Sequence, residues 1–117
     1  MPSKRPKTRF QDIADNINLI GTYTDEFKFS VYDNSQLVRD GVARCLSRIS
    51  EAAVKLGSTA QDLLPDHDWR RIRSIGNILR HEYDNIQDET IWAIVSKHLL
   101  PLLADIQNVI PQLPDEK

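Results

Sequence analysis

The sequence predicts an all-α fold, an antiparallel bundle of four main helices with short connections and room for extra turns, on three observations. Apolar residues recur at helical spacing in successive stretches, strand-like alternation is confined to one short segment, and residues that cap or stop helices flank the stretches. A chain of 117 residues with 40% hydrophobic and 27% charged side chains is long and apolar enough for one folded domain over 1–117. Its ends, about 1–7 and 111–117, hold prolines and polar residues and read as frayed tails.

Taken in order, Ile13, Ile17 and Ile20 share one helical face, and Gly21 reads as the stop of the first helix. Phe27, Phe29 and Val31 alternate as a strand would, but a lone strand has no partner, so 25–34 is expected to be a loop or helical turn pinned by its aromatics. Ser35 is a candidate N-cap. Val38, Val42, Leu46, Ile49, Ala53 and Leu56 then define a long helix that stops at Gly57. A connector over 58–68 contains Pro65. A third helix, Trp69 to Asp84, buries Ile72, Ile75, Ile78 and Leu79, with Ile86 beyond, and is otherwise polar. Asp88 is placed to cap a fourth helix carrying Ile91, Val95, Leu99, Leu102, Ile106 and Val109, which Pro101 should kink. Trp69 and Trp92 are assigned to packing.

Composition removes several function classes. The formal net charge of −2 means that any nucleic-acid binding must use a local patch. Cys45 is the single cysteine and sits in an apolar pattern, which predicts a buried thiol, no internal disulfide and a reducing, cytoplasmic setting. No apolar run is long enough to span a bilayer, and no signal-peptide core is expected, so no membrane association is foreseen. His67, His81 and His98 lack metal-ligand spacing among themselves or with Cys45. Phosphate-binding glycine loops and nucleophile-elbow motifs are absent from the sequence, and no metal or other cofactor is expected.

What stands out is the run from Trp69 to Ile86, where Arg70, Arg71, Arg73, Arg80, His81 and Tyr83 crowd one helix. At about 100° per residue, Arg73, Asn77 and His81 form one stripe and Gly76, Arg80 and Tyr83 an adjacent one. A histidine near neutral pKa beside an arginine suits metal-independent phosphodiester chemistry, with an RNA 2′-hydroxyl as internal nucleophile. The alternative is a solvated helix face of arginine–carboxylate pairs.

This segment resembles the HEPN superfamily, most closely the HepT-like proteins. The matching pieces are His81-Glu82-Tyr83, Asn77 with Leu79, Glu51-Ala52-Ala53, Asp68-Trp69-Arg70, Ile91-Trp92 and Leu100-Pro101-Leu102-Leu103, in the family's order. The resemblance implies a two-fold homodimer whose motif helices line a shared RNA-cutting cleft. It also implies a toxin of a type VII-style toxin–antitoxin pair, whose minimal nucleotidyltransferase antitoxin adenylylates the motif tyrosine. Carried over, His81 is the proton-transfer residue and Tyr83 the modification site, with Arg80, Arg73 and Asn77 as the other catalytic candidates and Glu51 as a supporting carboxylate. One departure matters. The family motif places arginine at position 76, where this chain has Gly76. Three readings stay open: an inactive interaction module that binds a nucleotidyltransferase or a nucleotide; relocation of the cation to Arg80, whose side chain leans back over the preceding turn; or supply of the charge by Arg73.

Overall fold

A computed structural model describes residues 3–116 except 83–87, and at 81 and 82 it describes the backbone alone. Among the described residues there is no strand, and the main helices are α1 (Pro6–Tyr23), α3 (Gln36–Leu56), α5 (Trp69–Glu82) and the pair α6 (Asp88–Ile94) and α7 (Leu100–Val109). Two short helices, α2 (Phe29–Asp33) and α4 (Ser58–Leu63), lie between them. The long helix α3 is central: α1 and α5 pack against it, and α7 closes over α1.

The apolar spacing in the sequence is the core. Ile13, Ile17 and Ile20 of α1, Val42, Leu46, Ile49 and Leu56 of α3, and Ile72 and Ile75 of α5 are fully or almost fully buried, joined by Leu99, Leu102 and Ile106. Ile78 is half-buried, and Ile86 lies outside the described residues. Cys45 is buried, and loss of solvation pushes its thiol pKa up. Trp69 packs edge-on against Phe10 at 6.4 Å, while its indole N–H donates to the Leu64 carbonyl at 2.8 Å. Trp92 stacks with Phe29 and Tyr32, which pins α2 as the aromatic content foretold. Ser35 caps α3, its hydroxyl accepting from the Val38 N–H at 3.2 Å, and Gly57 ends that helix with a left-handed φ of 57°.

Several boundaries differ from expectation, each for a physical reason. Gly21 does not stop α1, which runs on to Tyr23. A Cβ at Gly21 would lie 2.7 Å from the Phe27 ring, so the glycine serves close packing rather than termination. The stop comes from Asp25, Glu26 and Phe27, three successive residues at positive φ. Thr24 holds that turn, its hydroxyl donating to the Ile20 carbonyl and accepting from the Phe27 N–H. The connector after Gly57 contains α4, which the lack of an apolar period concealed. Asp88 lies in the described first turn of α6, where its charge faces the favourable end of the helix dipole.

The expected disturbance at Pro101 takes a definite form: Val95–Leu99 is a π-helical turn between α6 and α7, with the Leu100 N–H bonded back to the Val95 carbonyl. Widening by one residue absorbs the donor that proline lacks. Lys7 pairs with Asp115 at 2.6 Å, and the Thr8 N–H donates to Glu116 at 2.9 Å, so the start of α1 is clasped to the end of the chain. His67, given no role from sequence, ties the connector to α7 through Asp105 at 2.6 Å. No helix among the described residues is long and apolar enough to cross a membrane.

Candidate active site

The polar strip of α5 lies against α3, and the two helices run antiparallel, so the start of α5 meets the end of α3. They meet at Ser50 and Gly76. The buried Ser50 hydroxyl donates to the Arg73 carbonyl at 2.8 Å and accepts from the Gly76 N–H at 3.0 Å. A Cβ at Gly76 would stand 2.9 Å from that hydroxyl oxygen. A side chain at 76 would therefore push the Ser50 hydroxyl off its hydrogen bonds to Arg73 and Gly76, so glycine suits this crossing.

The two candidate arginines separate at this crossing. Arg73 points toward the end of α3: its Nη2 donates to the Gly57 carbonyl at 2.7 Å and to Gln61 Oε1 at 2.6 Å, and its Nε to the Ala53 carbonyl at 3.3 Å. It satisfies carbonyls left over at the end of α3 and places a cation at the negative end of that helix dipole. Arg73 is thus a clamp on the end of α3 in this structure, its guanidinium already engaged.

Arg80 does the opposite. Its side chain bends back one turn, with Nη1 3.4 Å from where a Gly76 Cβ would be and Nη2 donating to Asn77 Oδ1 at 2.5 Å. Asn77 is exposed and holds this guanidinium over the Gly76 turn. Arg80 also borders an open groove of about 550 Å³ between α3 and α5, whose other walls include Arg44, Ser47, Arg48 and Glu51. Glu51 is in the groove, but its charge goes to Lys55 at 2.9 Å rather than to a motif arginine, and that hydrogen bond and charge hold its carboxyl below the usual range.

Arg44 and Arg48 were not singled out by sequence. They stand one turn apart on α3, a like-charge spacing unfavourable in an isolated helix, and among the described residues neither has a carboxylate within ion-pair distance. Three guanidinium groups thus face one groove, an arrangement suited to a phosphodiester. His81 lies on α5 next to Arg80 in the chain; its side chain is outside the described residues, as is Tyr83 entirely. Among the described residues no group of three or more His, Cys, Asp or Glu could hold a metal ion.

Comparison with known proteins bears on what such a groove is for. The family model described as ribonuclease HepT-like matches residues 13–109. The chain belongs to the HepT-like ribonuclease family. Among its relatives, "Putative RNase MJ1380" of Methanocaldococcus jannaschii is 24% identical across 93% of this chain and 100% of its own length. "Probable ribonuclease HepT" of Thermococcus cleftensis is 27% identical across 88% of this chain and 94% of its own length. No solved structure matches the chain significantly. The HepT-like match spans α3 and α5 together, so the arginine-lined groove lies wholly inside the family region.

Proposed function

We propose that this HepT-like chain is a metal-independent endoribonuclease in which Arg80 replaces the motif arginine missing at Gly76. The observation that carries the reading is the guanidinium of Arg80 folded over the Gly76 turn and held there by Asn77. In the proposed reaction the 2′-oxygen of RNA bonds to the adjacent phosphorus as the bond from phosphorus to the 5′-oxygen breaks. One proton leaves the 2′-hydroxyl and one is gained by the departing 5′-oxygen, giving a 2′,3′-cyclic phosphate and a 5′-hydroxyl. His81 moves these protons, and Arg80, with Arg44 and Arg48 on the opposite wall, neutralises the charge that builds on the phosphorane oxygens.

The active unit is proposed to be a homodimer. Leu37 is 83% exposed and Tyr23 41%, and both line a shallow apolar groove that shares Arg44 with the candidate site. Covering that groove with a second copy would bury apolar surface beside the cationic walls. The family resemblance supports pairing with a minimal nucleotidyltransferase antitoxin that adenylylates Tyr83, in a toxin–antitoxin pair of the cytoplasm.

The test is cleavage of RNA by purified protein in EDTA. Cyclic-phosphate ends, lost on His81→Ala, are expected. The second reading, a non-catalytic interaction module, draws on Gly76 itself; protein that leaves RNA intact yet binds the nucleotidyltransferase would establish it. Incubation with that partner and ATP should add AMP to Tyr83, detectable by mass spectrometry, and an unmodified tyrosine would exclude the modification.

A further inference from the structure

The candidate groove does not end at α5. It shares Arg48 and Glu51 with a second groove between α1 and α3, and that one shares Arg9 and Lys55 with a third, which reaches Arg5 near the start of the chain. Arg80, Arg44, Arg48, Arg9, Lys55 and Arg5 thus border three grooves that adjoin at shared residues and form a stepped depression on a protein whose formal net charge is −2. Among the described residues the carboxylates lining it, Asp12 and Glu51, each face a cation already, Arg9 at 3.5 Å and Lys55 at 2.9 Å. Both are pairs at the surface, where water screens the attraction and a phosphate can compete for the cation. Along α3 alone, Arg44 to Lys55 extends over about 16 Å.

We propose that this depression is a binding track for the sugar–phosphate backbone of single-stranded RNA, which leads one arm of the substrate from the groove at Arg80 across α3 to the start of α1. The proposal rests on the ribonuclease reading for the identity of the strand. Charge complementarity selects the occupant: the track presents cations in each of its three grooves, and among the described residues no aromatic side chain lines them, so it would follow backbone rather than stack bases.

Two measurements on the full chain test it. Binding of a fluorescein-labelled single-stranded RNA of about 20 nucleotides, in a His81→Ala background, is followed as a function of salt. Replacing Arg5 and Arg9 together by glutamine, both at the far end of the track from Arg80, should reduce the dependence of log K on log salt by about 1.4, or about 0.7 for each lost phosphate contact. In the otherwise native enzyme the same pair should raise KM for the long RNA and leave kcat, and turnover of a dinucleotide, unchanged. Lys97→Gln, outside the track, should change neither.

RNA still bound and cut with an unaltered salt slope and KM overturns the track and leaves the ribonuclease reading standing. Failure of the native chain to bind the long RNA also overturns the track, and the ribonuclease reading falls with it only if the dinucleotide is also left uncut. Equal binding of poly-glutamate, with the same loss in the double variant, would identify an acidic polypeptide as the occupant and overturn the proposal.

Discussion

At the scale of single residues, the site turns on Ser50 and Gly76. The serine hydroxyl stands 2.9 Å from where a Cβ at 76 would be and accepts the Gly76 N–H at 3.0 Å, so the two positions are coupled. Gly76→Ala should destabilise the fold by about 1–3 kcal/mol through overpacking, despite alanine's better helix propensity. Adding Ser50→Gly should return part of that loss. Urea denaturation of the two single variants and the double variant measures the coupling, and additive effects would show that the contact is unimportant. Arg73 belongs to a different category from Arg80. Arg73→Ala removes the hydrogen bonds to Ala53, Gly57 and Gln61, so it should cost about 1–3 kcal/mol of stability by the same measurement.

At the scale of elements, the helices with an apolar period were legible from sequence, and those without one were not. The spacing from Val38 to Leu56 and the glycine at 57 foretold α3 almost to the residue, whereas α4 has only Ala60 buried and offered no period to read. Gly21 misled because glycine serves close approach as well as termination, and only the Phe27 ring tells which. The histidine and the arginines of α5 were visible as a local charge density, but Arg73 and Arg80 could not be assigned until α3 was placed beside them. The antiparallel register supplies the missing signal: an arginine early in α5 meets the carbonyls at the end of α3. Arg44 and Arg48 stayed hidden because a polar face on a long helix ordinarily faces solvent.

The clasp between the chain ends makes a pH prediction at this same scale. Hydrogen bonding to Thr8 lowers the Glu116 pKa, and the bond to Lys7 lowers that of Asp115. Groups depressed in the folded state contribute fully above the ordinary carboxylate range, and their contribution is lost as the pH falls through the depressed values. The protection factor of the Thr8 amide, its exchange rate relative to an unstructured chain at the same pH, should therefore be high at neutral pH and fall under acid conditions. An amide already unprotected at neutral pH would show that the clasp does not form in solution.

At the scale of the whole molecule, α3 organises everything that bears on function. One face carries the core, its end is held by Arg73, and its polar face supplies one wall of the groove completed by Arg80. The exposed Leu37 near its start lies on the surface assigned to a second copy. Leu37→Glu should shift the protein to monomers in sedimentation equilibrium while leaving its helical content intact, and an undiminished dimer would move the interface elsewhere. The central claim is that the cation missing at Gly76 has been restored by Arg80. Single-turnover cleavage of RNA by native protein, Arg80→Ala and Arg73→Ala, each with its melting temperature, tests it most directly. Arg80→Ala should cut about 10²–10³ times more slowly with an unchanged melting temperature, while Arg73→Ala should melt earlier and keep its rate. An Arg80→Ala protein that cuts as fast as the native one would contradict the account.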